Sequence, residues 1–557
     1  MVGQSRKWMI LAASVWIQAF TGTNLDFSSY SSDLKSVLGI SQVQLNNLSM
    51  ASDMGKAFGW CSGVCLKYLP LWVVIFLAAF MGFLGYGLQW LVIQGHISLP
   101  YSLVILSSLL AGCSISWFNT VCYVLCINNF PANRPLALSL SISFNGVTAA
   151  LYKLIVNAIN STDSALYLLL NAIMPLIASI GILTLVLQQH PPQALSGGAI
   201  HRESCVFLRL VILAACTGVY LLVLHTESVT SSASTLGAIL FLILLLITTR
   251  IFCAREWAQR TENSSIELQG TSFNSVDLGD LDIKQKLVEI EDSSSPLTRS
   301  NGNAYDPEEK RSCCDQKFFK DRLSMLGEEH SVRLLIHRLD FWLYYLAYFC
   351  GGTIGIVYGN NLGQIAQSLG YGSEISSFVS LYSACSFFGR LLSAIPDLLG
   401  DNMYYPRTGW LVLGLVPTPI AFLLLVSSGS QTALRTATAF IGLSSGFIVT
   451  AAVSMTAELF GPVSTGVNHN ILITNIPLGS LLYGLLAALL YQRNIRSSNL
   501  LVLMDGSTVC IGRQCYSETF AWWSFISMFG VASGYLLFLR TRAVYSLERN
   551  RNWMQYP

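Results

Sequence analysis

The chain has 557 residues, 53% of them hydrophobic and 11% charged, with 32 Lys and Arg against 30 Asp and Glu for a net charge of +2. Soluble domains carry about 25% charged residues, and here 12 basic and 16 acidic residues are concentrated between positions 254 and 338. The rest cannot coat a soluble enzyme, and the near-neutral balance gives no electrostatic basis for binding nucleic acid.

A spanning helix needs about 20 mostly apolar residues. In chain order such stretches fall at 8–30, 43–66, 70–94, 101–126, 135–159 and 165–188, then at 205–225 and 234–252. After a polar segment come 339–365, 375–398, 409–426, 432–456, 465–491 and 519–540. That makes about fourteen spans: six, two more, the polar segment, and six. The first is long and follows Arg6 and Lys7 directly, so it reads as an uncleaved helix rather than a signal peptide.

The segment 254–338 is rich in Ser, Asp and Glu without apolar periodicity, the composition of a disordered cytosolic linker. Loop charge sets orientation. With the N-terminus in the cytosol, the inner side collects Arg6, Lys7, Lys67, Arg134, Arg202, Arg250, Arg407, Arg540, Arg542 and the linker, against Lys35, Arg435, Arg493, Arg496 and Arg513 outside. Both termini are therefore expected in the cytosol, and the tail 546–557 with them. Asn160-Ser161-Thr162 falls in an outward loop and is a glycosylation candidate, whereas Asn263 has the same pattern on the inner side. Cys510 and Cys515, outside between the last two spans, are disulfide candidates.

The two blocks of six resemble each other. Gly55-Lys56 stands in the second span and Gly389-Arg390 in the tenth; Gly22-Thr23 and Leu38-Gly39 are answered by Gly352-Thr353 and Leu369-Gly370. Three matches in order read as a duplicated half. Two parallel six-helix halves are the architecture of major-facilitator transporters, with the solute site near mid-membrane between them. The expected fold is an all-α polytopic membrane protein: one half at 1–195, two extra helices at 196–253, the linker, and a second half at 339–545.

Longer blocks carry a family resemblance. Leu38-Gly39-Ile40-Ser41-Gln42, Ala51-Ser52-Asp53-Met54-Gly55-Lys56, and Trp117-Phe118-Asn119-Thr120 with Asn129-Phe130-Pro131 look like the plant nodulin-like family. So do Asn361-Leu362-Gly363-Gln364, Ala457-Glu458-Leu459-Phe460-Gly461 and Cys510-Ile511-Gly512 with Cys515. The chain is most similar to the nuclear-fusion-defective branch. That resemblance implies a plant multi-pass major-facilitator protein and, for at least one member, a link to fusion of nuclei. Pro135 after Arg134 and Ile142 depart from many relatives, and Lys153 lies one face onward.

No phosphate loop, metal-ligand spacing or nucleophile–base arrangement is visible, so no enzyme, cofactor or metal is expected. Gly82, Gly85 and Gly87 read as packing positions in an apolar helix. Ionisable groups at membrane depth are functional candidates by default: Asp26, Asp53, Lys56, Lys153, Arg390, Asp397 and Glu458. The expected solute site comprises Asp26, Asn119, Asn145, Lys153, Asn361 and Asn475, with Asp26 as partner to Lys153. The expected conformational latch comprises Lys56, Arg390, Asp397 and Arg407, with Asp397 paired to Arg390 or Arg407. The function these imply is alternating-access transport of a small polar or anionic solute, with or without a proton, in the plasma membrane or an endomembrane such as the ER or vacuole. The alternative is a non-transporting membrane protein, a receptor or scaffold, with a role in nuclear fusion. The expected partners are the bilayer and the solute; oligomeric state is not legible.

Overall fold

The computed structural model describes residues 2–23, 27–40, 42–160, 163–187, 197–226, 236, 239, 243, 323, 325–399, 405–497, 501–504 and 507–555. Met1–Arg250 with Arg322–Pro557 forms one compact unit; a second unit, Ile251–Asp321, lies outside the described residues. So do Asp26, Asn263 and most of the proposed eighth span.

Eleven helices among the described residues are long and apolar enough to cross a membrane. Large apolar side chains stay exposed along them, such as Phe80 (58%), Ile180 (56%) and Phe529 (53%), a surface that only lipid covers without cost. The first half consists of α1 (Val2–Thr21), α2 (Phe27–Leu38), α3 (Gln42–Ala57), α4 (Gly59–Tyr68), α5 (Leu71–Ile93), α6 (Tyr101–Asn129), α7 (Arg134–Ser143), α8 (Thr148–Ile159) and α9 (Ala165–Leu187). Of these, α7 and α8 together form one of the eleven, whereas α1 with α2 and α3 with α4, at the stretches expected for the first two spans, are not among them. An additional helix, α10 (Gly197–Thr226), follows. Its base is tied to α1 by Lys7–Glu203 at 3.2 Å, and Phe207 packs on Trp8 and Phe130.

The second half comprises α11 (Val332–His337), α12 (Leu339–Ala347), α13 (Ile354–Ser368), α14 (Ile375–Leu392), α15 (Ile395–Leu398), α16 (Arg407–Leu415), α17 (Pro417–Ser427), α18 (Gln431–Phe460), α19 (Thr465–Leu472) and α20 (Asn475–Ser497). A short antiparallel hairpin, β1 (Leu501–Met504) with β2 (Ser507–Cys510), leads to α21 (Gln514–Gln555). The all-α expectation thus needs one amendment, in a loop. At about 1.5 Å per residue, the 42 residues of α21 outrun the roughly 30 Å hydrocarbon core. The end of the bundle where α1, α7 and α10 begin is called the terminal face below.

Packing repeats between the halves. A Cβ on Gly55 would strike the backbone of α6 at Leu109 and Cys113; one on Gly389 would strike α18 at Leu443 and Phe447. Reciprocally, Gly112 lies on the backbone of Ser52 and Gly446 on that of Ser386. Helices two and four of each half therefore cross at matched small residues, which let backbones approach closely. In α5, Gly82 and Gly85 pack likewise against α6, but Gly87 meets nothing within 4 Å and is not a packing position.

The first helix of each half also breaks at the matched Gly-Thr pair. The gap between α1 and α2 starts at Gly22, whose N–H donates to Thr148 Oγ1 at 3.1 Å. Between α12 and α13 a wide turn, Tyr348–Thr353, replaces regular helix, and Thr353 Oγ1 donates to Asn475 Oδ1 at 2.7 Å. Each break faces an interruption of the fifth helix of its own half, at Phe144–Val147 and between Leu472 and Asn475. Irregular backbone at membrane depth persists only where protein or a cavity satisfies its polar groups.

Candidate functional site

The site is built where these breaks meet the second helices. Arg390, near the end of α14, sends Nη1 across to the first half, donating to Ile142 O and Asn145 Oδ1, each at 3.1 Å. The backbone beside it is held in turn: Ser139 Oγ donates to Arg390 O at 2.8 Å. The repeat partner of Arg390 is Lys56 on α3, which pairs with Asp53 at 2.7 Å. Asp53 accepts from Ser480 on α20 at 2.7 Å and Asn360 on α13 at 3.5 Å, both in the second half. The duplicated Gly-Lys and Gly-Arg pairs thus place one cation at each of the two seams.

Several polar atoms here are buried with no hydrogen-bond partner among the described residues: Arg390 Nε, Asn145 Nδ2, Asn475 Nδ2 and Asn119 Oδ1. Three of the four are donors. Leaving a buried donor unpaired costs about 1–3 kcal/mol, so the site as built favours whatever supplies acceptors. The hydroxyls of Tyr123, Tyr348 and Tyr382 lie within electrostatic reach of the guanidinium.

Toward the terminal face the halves touch directly. A Cβ on Gly63 would enter the backbone of Gly466, Gly59 faces the Asn470 side chain, and Asn470 Nδ2 donates to Thr120 Oγ1 at 2.7 Å. Helices α4 and α6 of one half seal in this way against α19 of the other.

The structure redistributes the sequence-derived residues. Asn145 is joined to Arg390 rather than grouped around Lys153, which stands half-buried on α8 beyond the break. Asn475 is bonded to Thr353, and Asn361 Nδ2 donates to Val357 O of its own helix. Asn119 is half-buried on α6. Asp26 lies outside the described residues, so its partnership with Lys153 is not described. Asn160 is exposed at the end of α8, and Cys510 and Cys515 are joined by a disulfide.

The expected latch divides. Arg407 pairs with Asp397 and, at 2.7 Å, with Glu458; Arg390 does not bond Asp397, because α14 turns its guanidinium toward the first half. Lys56 is likewise committed to Asp53. The Asp397–Arg407–Glu458 node lies within the second half at the terminal face. Since Glu458 remains for Arg407, Asp397→Asn should leave yield near wild type and change the ratio of inward to outward accessibility. Partly exposed pairs contribute only about 0–1 kcal/mol, a size to which a two-state population still responds. Cysteine accessibility on both faces checks this, and an unchanged ratio makes Asp397 an ordinary surface carboxylate.

Sequence reasoning missed Ser480, Asn360 and Asn470, which are neutral residues in apolar helices marked only by their partners across the bundle; Thr353 was visible in the repeat but not as a bonding partner of Asn475. For Arg390 a signal existed, its repeat equivalence to Lys56.

Two matching pairs of broken helices, one in each half, matched second-helix glycines and a polar centre between six-helix halves define a major-facilitator fold. Among solved structures, the proton:xylose symporter XylE bound to 6-bromo-6-deoxy-D-glucose is similar at TM-score 0.53 and 12% identity, covering 97% of this chain and 95% of that one. A double Trp XylE mutant is similar at TM-score 0.51 and 11% identity, covering 96% and 98%. Residues 7–252 match the Nodulin-like family and residues 324–547 the NFD4 C-terminal domain. Protein NUCLEAR FUSION DEFECTIVE 4 of Arabidopsis thaliana is 52% identical over 555 residues, 99% of this chain and 92% of the relative. The chain belongs to the nodulin-like family of multi-pass membrane proteins with the major-facilitator transporter fold.

Proposed function

We propose that this protein carries a small organic anion by alternating access, with Arg390 as the cation that receives it. One observation supports the reading above the rest. Among the described residues, the Arg390 guanidinium reaches across the seam to neutral acceptors, at Ile142 and Asn145, and its buried Nε has no partner. A cation inside a bilayer is costly and marks a solute path by default. A carboxylate would satisfy Arg390 Nε and the neighbouring Asn145 amide together, and a carboxylate–guanidinium bond is among the stronger hydrogen bonds. Asn475, Asn119, Asn361 and Lys153, with Asp26, are proposed to line the rest of the path. The seal of α4 and α6 on α19 corresponds to a state closed at the terminal face. Loop charge supports assigning that face to the cytosol.

The test is uptake into liposomes by purified protein, with labelled lactate, malonate and glutamate as anions and labelled glucose as the neutral control. Arg390→Ala should abolish anion uptake at normal yield, and Arg390→Lys should retain part of it, because an ammonium lacks the planar fork. Undiminished anion uptake by Arg390→Ala, or uptake of glucose alone, overturns the reading.

A further inference from the structure

The additional helix α10 belongs to neither six-helix half, yet it contacts both. Its base is bonded to the first half: Glu203 pairs with Lys7 at 3.2 Å, and Ser204 Oγ donates to Asn133 Oδ1 at 2.8 Å. Phe207 packs on the rings of Trp8 and Phe130, over which the Lys7 ammonium also stands at 5.8 and 5.4 Å. From there Leu210, Ala214 and Gly218 continue one buried stripe at helical spacing, while Leu208, Ile212 and Val219 are exposed on the other side. About three turns beyond Phe207, that stripe meets the second half. A Cβ on Gly218 would lie 2.4 Å from the Phe387 ring and 3.1 Å from that of Phe388, both on α14.

Phe387 is 2% exposed and walled in from two sides. Its ring stands edge-on to Phe144 at 5.9 Å, and its backbone lies against Gly146, where a Cβ would approach within 3.4 Å. Phe144 and Gly146 belong to the break of the first half's fifth helix. Arg390, one turn further along α14, donates to Ile142 and Asn145 at the same break. A second-half ring is thus seated in a notch made by that break and by α10. We propose that α10 is a strap that travels with the first half and holds the state closed at the terminal face by clasping Phe387. An ion pair, a hydrogen bond and ring contacts fix its base, whereas its grip on α14 is close packing at a glycine, the kind of contact that holds helices together in lipid. When the halves rock, the base stays and the Gly218–Phe387 contact slides apart, taking Arg390 away from the break. The strap takes alternating access from the reading above, but not the anion.

The experiment needs no solute. Full-length protein carrying Val124→Cys, whose position lies beside Gly466 in the seal, is placed in nanodiscs and labelled with a polar maleimide, and the rate at that site is read by peptide mass spectrometry. Gly218→Leu drives a side chain into the seated ring and should raise the rate at least about fivefold. Phe387→Ala, which empties the notch, should raise it as well. The two substitutions together should bring it back to within about twofold of the parent, because a leucine at 218 fills the space the ring has left. Defects that only loosen the fold do not cancel in this way, so an additive rise in the double variant overturns the proposal. Should Gly218→Leu alone fail size exclusion, Phe387→Ala and the double variant still decide by the same comparison. Gly63→Leu, which meets the backbone of Gly466, is the positive control. If it raises labelling while Gly218→Leu and Phe387→Ala do not, the strap is overturned and alternating access stands. If none of the three responds, both are overturned.

Discussion

Asp340→Ala should produce protein that fails to reach a folded, monodisperse state. Asp340 opens α12 and Arg540 lies well along α21; each side chain is 1% exposed, and they meet at 2.5 Å and 3.3 Å in a two-pronged bond. The pair closes the first helix of the second half on its last. Removing Asp340 takes the carboxylate away from a guanidinium that is 1% exposed, and breaking a buried pair in this way costs about 3–5 kcal/mol, comparable to much of a domain's stability. Replacing both members by apolar residues of similar volume is often neutral. Asp340→Leu combined with Arg540→Met should therefore recover yield and thermal stability close to wild type. Size-exclusion profiles and thermal unfolding in detergent check both results. A stable Asp340→Ala protein would show that Arg540 finds another partner.

Gly63→Leu should break the seal at the terminal face while leaving each half folded. Any Cβ at Gly63 meets the backbone of Gly466 and Val467, which cannot swing aside as a side chain can. Overpacking of this kind costs about 1–3 kcal/mol. The cost falls only on the state in which α4 lies against α19. A bias of about 1–3 kcal/mol shifts a two-state equilibrium roughly 5–150-fold, so the opposite access state should take over. A cysteine at Val124, beside Gly466 on the seam, reports the change through labelling by an impermeant maleimide from the terminal face. Gly87→Leu is the control, since Gly87 faces open space. Equal labelling in the two variants would place the seal elsewhere.

Much of the architecture was legible in the chain because it depends on local quantities. Hydropathy over about 20 residues located the helices, and the order of Gly-Thr and Gly-Lys or Gly-Arg pairs disclosed the duplication. Those same glycines turned out to be crossing points and helix breaks, since only a residue without a Cβ admits a second backbone so close. Arg390 was legible as a charge in a helix, but its role was not. Counting along the chain put it near Asp397, whereas the fold directs it to Asn145, 245 positions away.

What tertiary structure alone decided was partnership. Arg540 read as a basic residue at the end of a span, and only the meeting of α12 and α21 shows that it is buried on Asp340. Asp53 read as one carboxylate among several, and only the crossing of α3 with α20 hands it Ser480. Sequence fixes which groups are too costly to leave unpaired in a membrane; the partner is set by which faces of distant helices are brought together, and spacing along one helix carries no record of that.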